Sequence, residues 1–121
     1  MRRKISIGVD IVKLSRIEKV LELYQQKFLS RFFDMNEIKE AETHRGKGMI
    51  SYLAKRFAAK EAIIKARGHA IGLAIKQISI RNNYKGKPFI YFKDRMLRNS
   101  QISLSDDGDY AIAFVVLGDR I

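Results

Sequence analysis

The sequence predicts an α+β fold in which helices pack on an antiparallel sheet. Three observations lead there. Ile5, Ile7 and Val9 alternate with Ser6 and Gly8, as in a strand; helical periods then fill the chain up to Gly68; and from Ile75 onward the period changes to short strands separated by turn residues. At 121 residues the chain suits one domain, 1–121, with a real core. No internal repeat, low-complexity segment or linker divides it.

Asp10 comes near the end of the opening strand. Ser15-Arg16-Ile17-Glu18 has the form of a capping box, a hydroxyl at the cap and Glu three positions later, and predicts a helix from about Arg16 to Phe28. That helix would bury Ile17, Val20, Leu21, Tyr24 and Phe28 and turn Arg16, Lys19 and Lys27 outward. Asp34-Met35-Asn36-Glu37 is a second capping box, opening a shorter helix that ends near His44. Arg45-Gly46-Lys47-Gly48 reads as a basic, flexible loop. The next helix begins near Ser51, runs through the Ala-rich stretch Phe57–Ala66, which has no Gly or Pro, and stops at Gly68. A glycine-bearing loop, Gly68-His69-Ala70-Ile71-Gly72, follows; it is too irregular to count as a phosphate loop. Strands over Ile75–Arg81 and Phe89–Phe92 flank the turn-rich Asn82–Pro88. Asp94–Ser100 reads as a helical turn, and Ile102–Ser105 and Tyr110–Leu117 flank a hairpin at Asp106-Asp107-Gly108-Asp109.

Composition narrows the function. A hydrophobic content of 46% rules against disorder, and the absence of cysteine excludes disulfides, thiolate metal sites and a Cys nucleophile. Met1-Arg2-Arg3-Lys4 and Ile5 resemble the start of a signal peptide, but Asp10 interrupts the apolar run too early. No stretch reaches membrane-spanning length, and the reading is a cytoplasmic protein without a membrane role. The net charge of +11 calls for an anionic partner: a phosphorylated ligand, an acidic protein, nucleic acid or a membrane surface.

Chemistry concentrates in two places. On a helical wheel Ile50, Leu53, Ala54, Phe57, Glu61 and Ile64 share one face, so Glu61 lies inside an apolar stripe, with Lys65 one turn further on. A carboxylate so placed is costly unless paired or bound to a metal. A structural Glu61–Lys65 pair competes with a metal-ligating carboxylate beside an anion-binding lysine. Asp10 is the best second carboxylate, and it fits a turn aspartate as well as a ligand. Two facing carboxylates make a hard-oxygen site suited to Mg²⁺, with waters and substrate phosphates filling the remaining positions.

Ile7-Gly8-Val9-Asp10-Ile11-Val12, followed by Arg56-Phe57-Ala58-Ala59-Lys60-Glu61-Ala62-Ile63-Ile64-Lys65-Ala66, resembles the paired signature of holo-acyl-carrier-protein synthase, the small bacterial type of 4′-phosphopantetheinyl transferase. Gly86-Lys87-Pro88 and Ser103-Leu104-Ser105 with Tyr110-Ala111-Ile112-Ala113 resemble the family's later segments. The resemblance implies a transferase-like fold and transfer of the phosphopantetheine arm of coenzyme A to a serine of apo-acyl carrier protein, releasing adenosine 3′,5′-bisphosphate. It implies that Asp10 and Glu61 ligate magnesium and that Lys65 lies near the coenzyme A phosphates. It also implies a homotrimer with active sites at subunit boundaries, and Arg56 contacting coenzyme A from a neighbouring subunit. Arg16, Lys27, Phe28 and Arg31 would meet the acidic helix of the carrier, where complementary charge raises encounter rate and specificity.

The chemistry is consistent with these roles. Magnesium between two carboxylates and the pyrophosphate offsets developing negative charge, and Lys65 adds a positive charge for the leaving phosphate. The base is Glu61, directly or through a water, or a metal-bound hydroxide. Two positions depart from the family pattern. Asp106 stands where the family usually has histidine, and a carboxylate repels a phosphate where an imidazole donates to one. His69 stands where a small residue is usual; neither it nor His44 is assigned to the site. The alternative function is a basic nucleic-acid-binding module, supported by charge and by Arg45–Gly48 but by no visible RNA- or DNA-binding signature.

Overall fold

The opening strand finds its partner at the far end of the fold. In the computed structural model, which describes residues 4–68 and 75–118, β1 (Ser6–Lys13) pairs antiparallel with β6 (Tyr110–Leu117), and β6 pairs with β5 (Ser100–Asp107). The resulting sheet has the order β1-β6-β5. A second three-stranded sheet, also antiparallel, joins β2 (Ile78–Asn82), β3 (Pro88–Phe92) and β4 (Arg95–Met96). Between β1 and β2 lie four helices, α1 (Leu14–Tyr24), α2 (Gln26–Phe32), α3 (Met35–Ala41) and α4 (Lys47–Arg67), and a short 3₁₀ turn, Ile75–Gln77. The α+β class read from the sequence is the observed one.

Helix α4 crosses the first sheet, and small residues bring it close. Ala54, Ala58, Ala59, Ala62 and Ala66 of the helix and Ala111 and Ala113 of β6 are all buried. Gly8 is the tightest point: a Cβ there would run into the carbonyl oxygen of Ala62. Leu53, Phe57, Ile63, Val12, Val115 and Leu117 fill the remaining space. Each large apolar side chain buried in this way contributes about 1.5–3 kcal/mol.

Alternation on β1 sends Gly8, Asp10 and Val12 toward α4 and leaves Ile7, Val9 and Ile11 exposed. Their neighbours across the strand pair, Phe114 opposite Val9 and Ile112 opposite Ile11, are exposed as well. The outer face of this sheet is therefore apolar along β1 and β6 and polar along β5, where Gln101, Ser103 and Ser105 are exposed.

Several element boundaries differ from those predicted. The first long helix is two: Gln25, at φ 42°, separates α1 from α2 and donates its N–H to Leu21 O. The Ser15 box does not form, because the helix already starts at Leu14 with Lys13 as its cap. Tyr24, expected in the core, is exposed at the break. The Asp34 box forms in full, each of Asp34 and Glu37 accepting from the other's backbone N–H. Lys47 and Gly48 belong to α4 rather than to a loop, and the helix ends as predicted at Gly68, φ 98°. Beyond Gly68 the predicted glycine-bearing loop, His69 included, lies outside the described residues. Within Asp94–Ser100 the chain forms β4, entered by a tight turn in which Lys93 and Asp94 both have positive φ. The later hairpin is the predicted one, with Gly108 at φ 58° in a two-residue turn between the paired Asp107 and Tyr110.

One polar cluster lies wholly inside. Lys60 points from α4 away from the sheet, and its ammonium donates to Glu37 and to the carbonyl oxygen of Phe32 at 2.6 Å each. The other Glu37 oxygen accepts the Ile80 N–H at 2.9 Å. One ion pair thus ties α2, α3 and β2 to the central helix. Burial pushes the Glu37 carboxyl above its ordinary range against the pull of Lys60, and pushes the Lys60 ammonium below the usual lysine value.

Candidate active site

The close contact of β1 and α4 at Gly8 sets the site two residues further along the strand. Asp10 lies within β1, opposite Ala113, rather than near the strand's end. Its side chain is 16% exposed and faces α4. There it accepts a hydrogen bond from Lys65 Nζ at 2.9 Å, and the same ammonium reaches the Val9 carbonyl oxygen at 3.2 Å. Lys65 therefore joins two segments 55 residues apart, and its partner is Asp10. Glu61 is half-buried on α4, one turn before Lys65 and so on the same side of the helix. The apolar stripe that the wheel drew through Glu61 is only partly sealed there, since Ile64 is half-buried too.

Among the described residues no three His, Cys, Asp or Glu side chains cluster as a closed metal cage. Two carboxylates on facing elements, with no nitrogen or sulfur donor, are the set that suits a hard cation held by one or two side chains and completed by phosphate and water. The Lys65 ammonium already pairs with Asp10, so a metal ion bound there would share that carboxylate with the lysine or displace it.

Arg56 lies on another side of α4. It is 4% exposed, packs its guanidinium 4.0 Å from the Tyr52 ring centre and donates from Nη2 to Asn82 Oδ1 at 2.9 Å. Its buried Nε has no hydrogen-bond partner among the described residues. Burial pushes the Tyr52 hydroxyl up to about 12, so the phenol beneath Arg56 stays neutral. A cavity of about 300 Å³ opens beside Arg56, lined also by Lys55, Asn82, Gly86, Pro88 and Ser103. The Gly86-Lys87-Pro88 segment is thus brought to the same hollow as Arg56. Lys55 and Asn82 were not singled out from the sequence; each is an ordinary surface residue type, and only the pairing of α4 with the β2–β3 connection exposes its role.

Arg16, Lys27 and Arg31 are all exposed on α1 and α2. The Arg16 guanidinium lies 5.6 Å from the Phe57 ring centre and that of Arg31 5.8 Å from Phe32. Phe28 is buried, as the helical pattern predicted, and not exposed as the carrier contact implied by the resemblance would need. It is 4% exposed and packs against Phe32, Phe33 and Phe57, because its position on α2 faces inward after the break at Gln25. It supports the basic surface from beneath and does not present its ring to a partner.

Residues 6–115 match the family model described as the 4′-phosphopantetheinyl transferase superfamily. The chain belongs to this superfamily. It is 46% identical over 113 residues to the holo-[acyl-carrier-protein] synthase of Wolbachia pipientis wMel, covering 93% of this chain and 92% of that one. The corresponding protein of Anaplasma marginale strain Florida is 41% identical, covering 93% and 97%. Among solved structures, the holo-(acyl-carrier-protein) synthase of Bacillus anthracis str. Ames, in complex with CoA (3′,5′-ADP), superposes with a TM-score of 0.82 at 36% identity and covers 93% of this chain and 94% of its own. The Helicobacter pylori enzyme in complex with coenzyme A gives 0.77 at 34%, covering 92% and 97%. The chain is an enzyme of this kind, a holo-[acyl-carrier-protein] synthase-type phosphopantetheinyl transferase with the family's α+β architecture.

Proposed function

We propose that this phosphopantetheinyl transferase moves the 4′-phosphopantetheine group from coenzyme A to a serine of apo-acyl carrier protein, with Mg²⁺, and releases adenosine 3′,5′-bisphosphate. The observation that carries the reading is the Lys65–Asp10 bond at 2.9 Å, which brings the two signature segments into one site. Asp10 and Glu61 would hold the magnesium ion, which supplies charge neutralisation at the pyrophosphate when bound. Lys65 stabilises negative charge on the leaving phosphate, for which it exchanges its bond to Asp10. Glu61, half-buried beside it, takes the proton of the attacking serine, directly or through a water.

The assembly we propose is a homotrimer closed over the apolar outer face of β1 and β6. Support comes from Ile7, Val9, Ile11, Ile112 and Phe114, large apolar side chains all exposed on one face of β1 and β6. Arg56 and its cavity would then serve coenzyme A bound against a neighbouring copy. The exposed Arg16, Lys27 and Arg31 are the proposed landing surface for the acidic carrier. No helix among the described residues is long and apolar enough to cross a membrane; a cytoplasmic role in fatty acid biosynthesis is part of the same proposal.

Incubation with coenzyme A, Mg²⁺ and apo-acyl carrier protein, followed by mass spectrometry of the carrier, tests the reading. A phosphopantetheine mass gain is expected from the parent chain, and Asp10→Ala and Glu61→Ala should each lower the rate by about 100-fold or more while leaving circular dichroism unchanged. No mass gain at high enzyme concentration overturns it.

A further inference from the structure

Asp106 lines a separate hollow on β5 and β6 but reaches the Arg56 cavity through Lys55, which lines that cavity and pairs with Asp106. Its carboxylate makes a 3.0 Å ion pair with Lys55 Nζ and a hydrogen bond with Ser51, one turn earlier on α4. Ile102, Leu104 and Asp106 alternate along the same face of β5, so the strand's register delivers the carboxylate to the helix. Lys55 itself lines the cavity with Arg56, Asn82 and Ser103. Two cations, an amide and a hydroxyl around about 300 Å³ suit a phosphate-bearing ligand.

We propose that Asp106 is a built-in competitor for Lys55, holding its ammonium until a ligand phosphate replaces it, and thereby sets how tightly the cavity grips the phosphorylated adenosine end of coenzyme A. The proposal rests on the coenzyme A reading above. Binding exchanges one ion pair for another, so the net gain from Lys55 is smaller than from an unpaired lysine, and the carboxylate left behind repels the incoming anion. The hydrogen bond from Lys55 holds the Asp106 carboxyl below its ordinary range, so the competing charge is present throughout neutral pH.

Isothermal titration with adenosine 3′,5′-bisphosphate tests this on the full chain. Asp106→Asn keeps an acceptor for Ser51 and Lys55 but removes the charge, and should bind about two- to five-fold tighter at low salt, the advantage shrinking as salt rises. Asp106→Ser, a second neutral variant, should shift the same way. Lys55→Met should weaken binding, and Asp106→Asn should add nothing on the Lys55→Met background. Asp107→Asn, the same charge change on the neighbouring exposed residue, should bind like the parent. Unchanged or weaker binding by both neutral variants at position 106, or an equal gain from Asp107→Asn, overturns the proposal alone. A parent chain that binds no adenosine 3′,5′-bisphosphate overturns the coenzyme A reading together with it.

Discussion

The Lys60 ammonium lies 2.6 Å from a Glu37 carboxylate oxygen, and neither side chain is open to solvent. Removal of one charge strands the other in the core. Lys60→Met should therefore destabilise the fold by about 3–5 kcal/mol in urea unfolding. The double variant Lys60→Met, Glu37→Gln should recover part of that loss, because no unpaired charge is left in the core and the one amide oxygen can still accept the Ile80 N–H. A double variant as unstable as the sum of the two single ones would show that the pair is not coupled.

Gly8 matters for proximity. The Cβ of Gly8→Ala would meet the Ala62 carbonyl oxygen, and the backbone on either side must shift to relieve it. A loss of about 1–3 kcal/mol in thermal or urea unfolding is expected. Because Asp10 is two residues along the same strand, transfer activity should fall further than the folded fraction does; a proportional fall would mean that the strand's distance from α4 is unimportant to the site.

Acid should loosen the entry to α3. Burial alone would raise the Asp34 carboxyl, but hydrogen bonds from the Glu37 N–H, Ser79, Asn36 and Arg81 outweigh it and hold the group below its ordinary 3.8. With the folded value depressed, the unfolded chain takes up the proton first, so the contribution is full above that ordinary value and is lost as pH falls below it. The parent chain should lose stability across this acid window, and Asp34→Ala should show a shallower slope there at a cost of about 1 kcal/mol at neutral pH. Parallel pH profiles for the two would dismiss Asp34 as the titrating group.

The outer sheet face offers an assembly test. Val9 and Phe114 sit opposite one another and both are exposed. Val9→Glu should reduce the mass seen by light scattering to about one-third, the change from a closed threefold ring to one copy. Transfer activity should fall with it if neighbouring copies share a site. An unaltered mass would remove this face from the assembly.

Much of this architecture was legible in the residues. The Asp34–Glu37 box, the Gly68 stop and the Gly108 hairpin each rest on a local rule that no distant contact overrides, and all three are observed. The Ser15 box met the same rule and failed, because Leu14 is drawn into the core and starts the helix a residue earlier. The Lys93–Asp94 turn escaped notice because its two positive φ angles fall on residues that seldom adopt them. Lys60 carried no local signal at all. Its neighbour Glu61 looked like the anomaly in an apolar helix, yet Glu61 is half-buried and Lys60 is the charge sealed inside, since α4 is covered on more than one side. For the site, the joining of Asp10 to the Glu61–Lys65 segment follows from motif order, whereas the Lys55–Asp106 pair depends on strand register that sequence spacing does not give.

The pairing of β1 with β6 also has a consequence for synthesis. A ribosome delivers Asp10 early, but the strand that holds it in place, Tyr110–Leu117, emerges only after every helix has been made. Until then the nascent chain has α4 without the sheet it covers, and its sticky alanine-lined side is open to chaperones or to other growing copies. Catalytic competence therefore arrives late and all at once, when translation releases the closing strand.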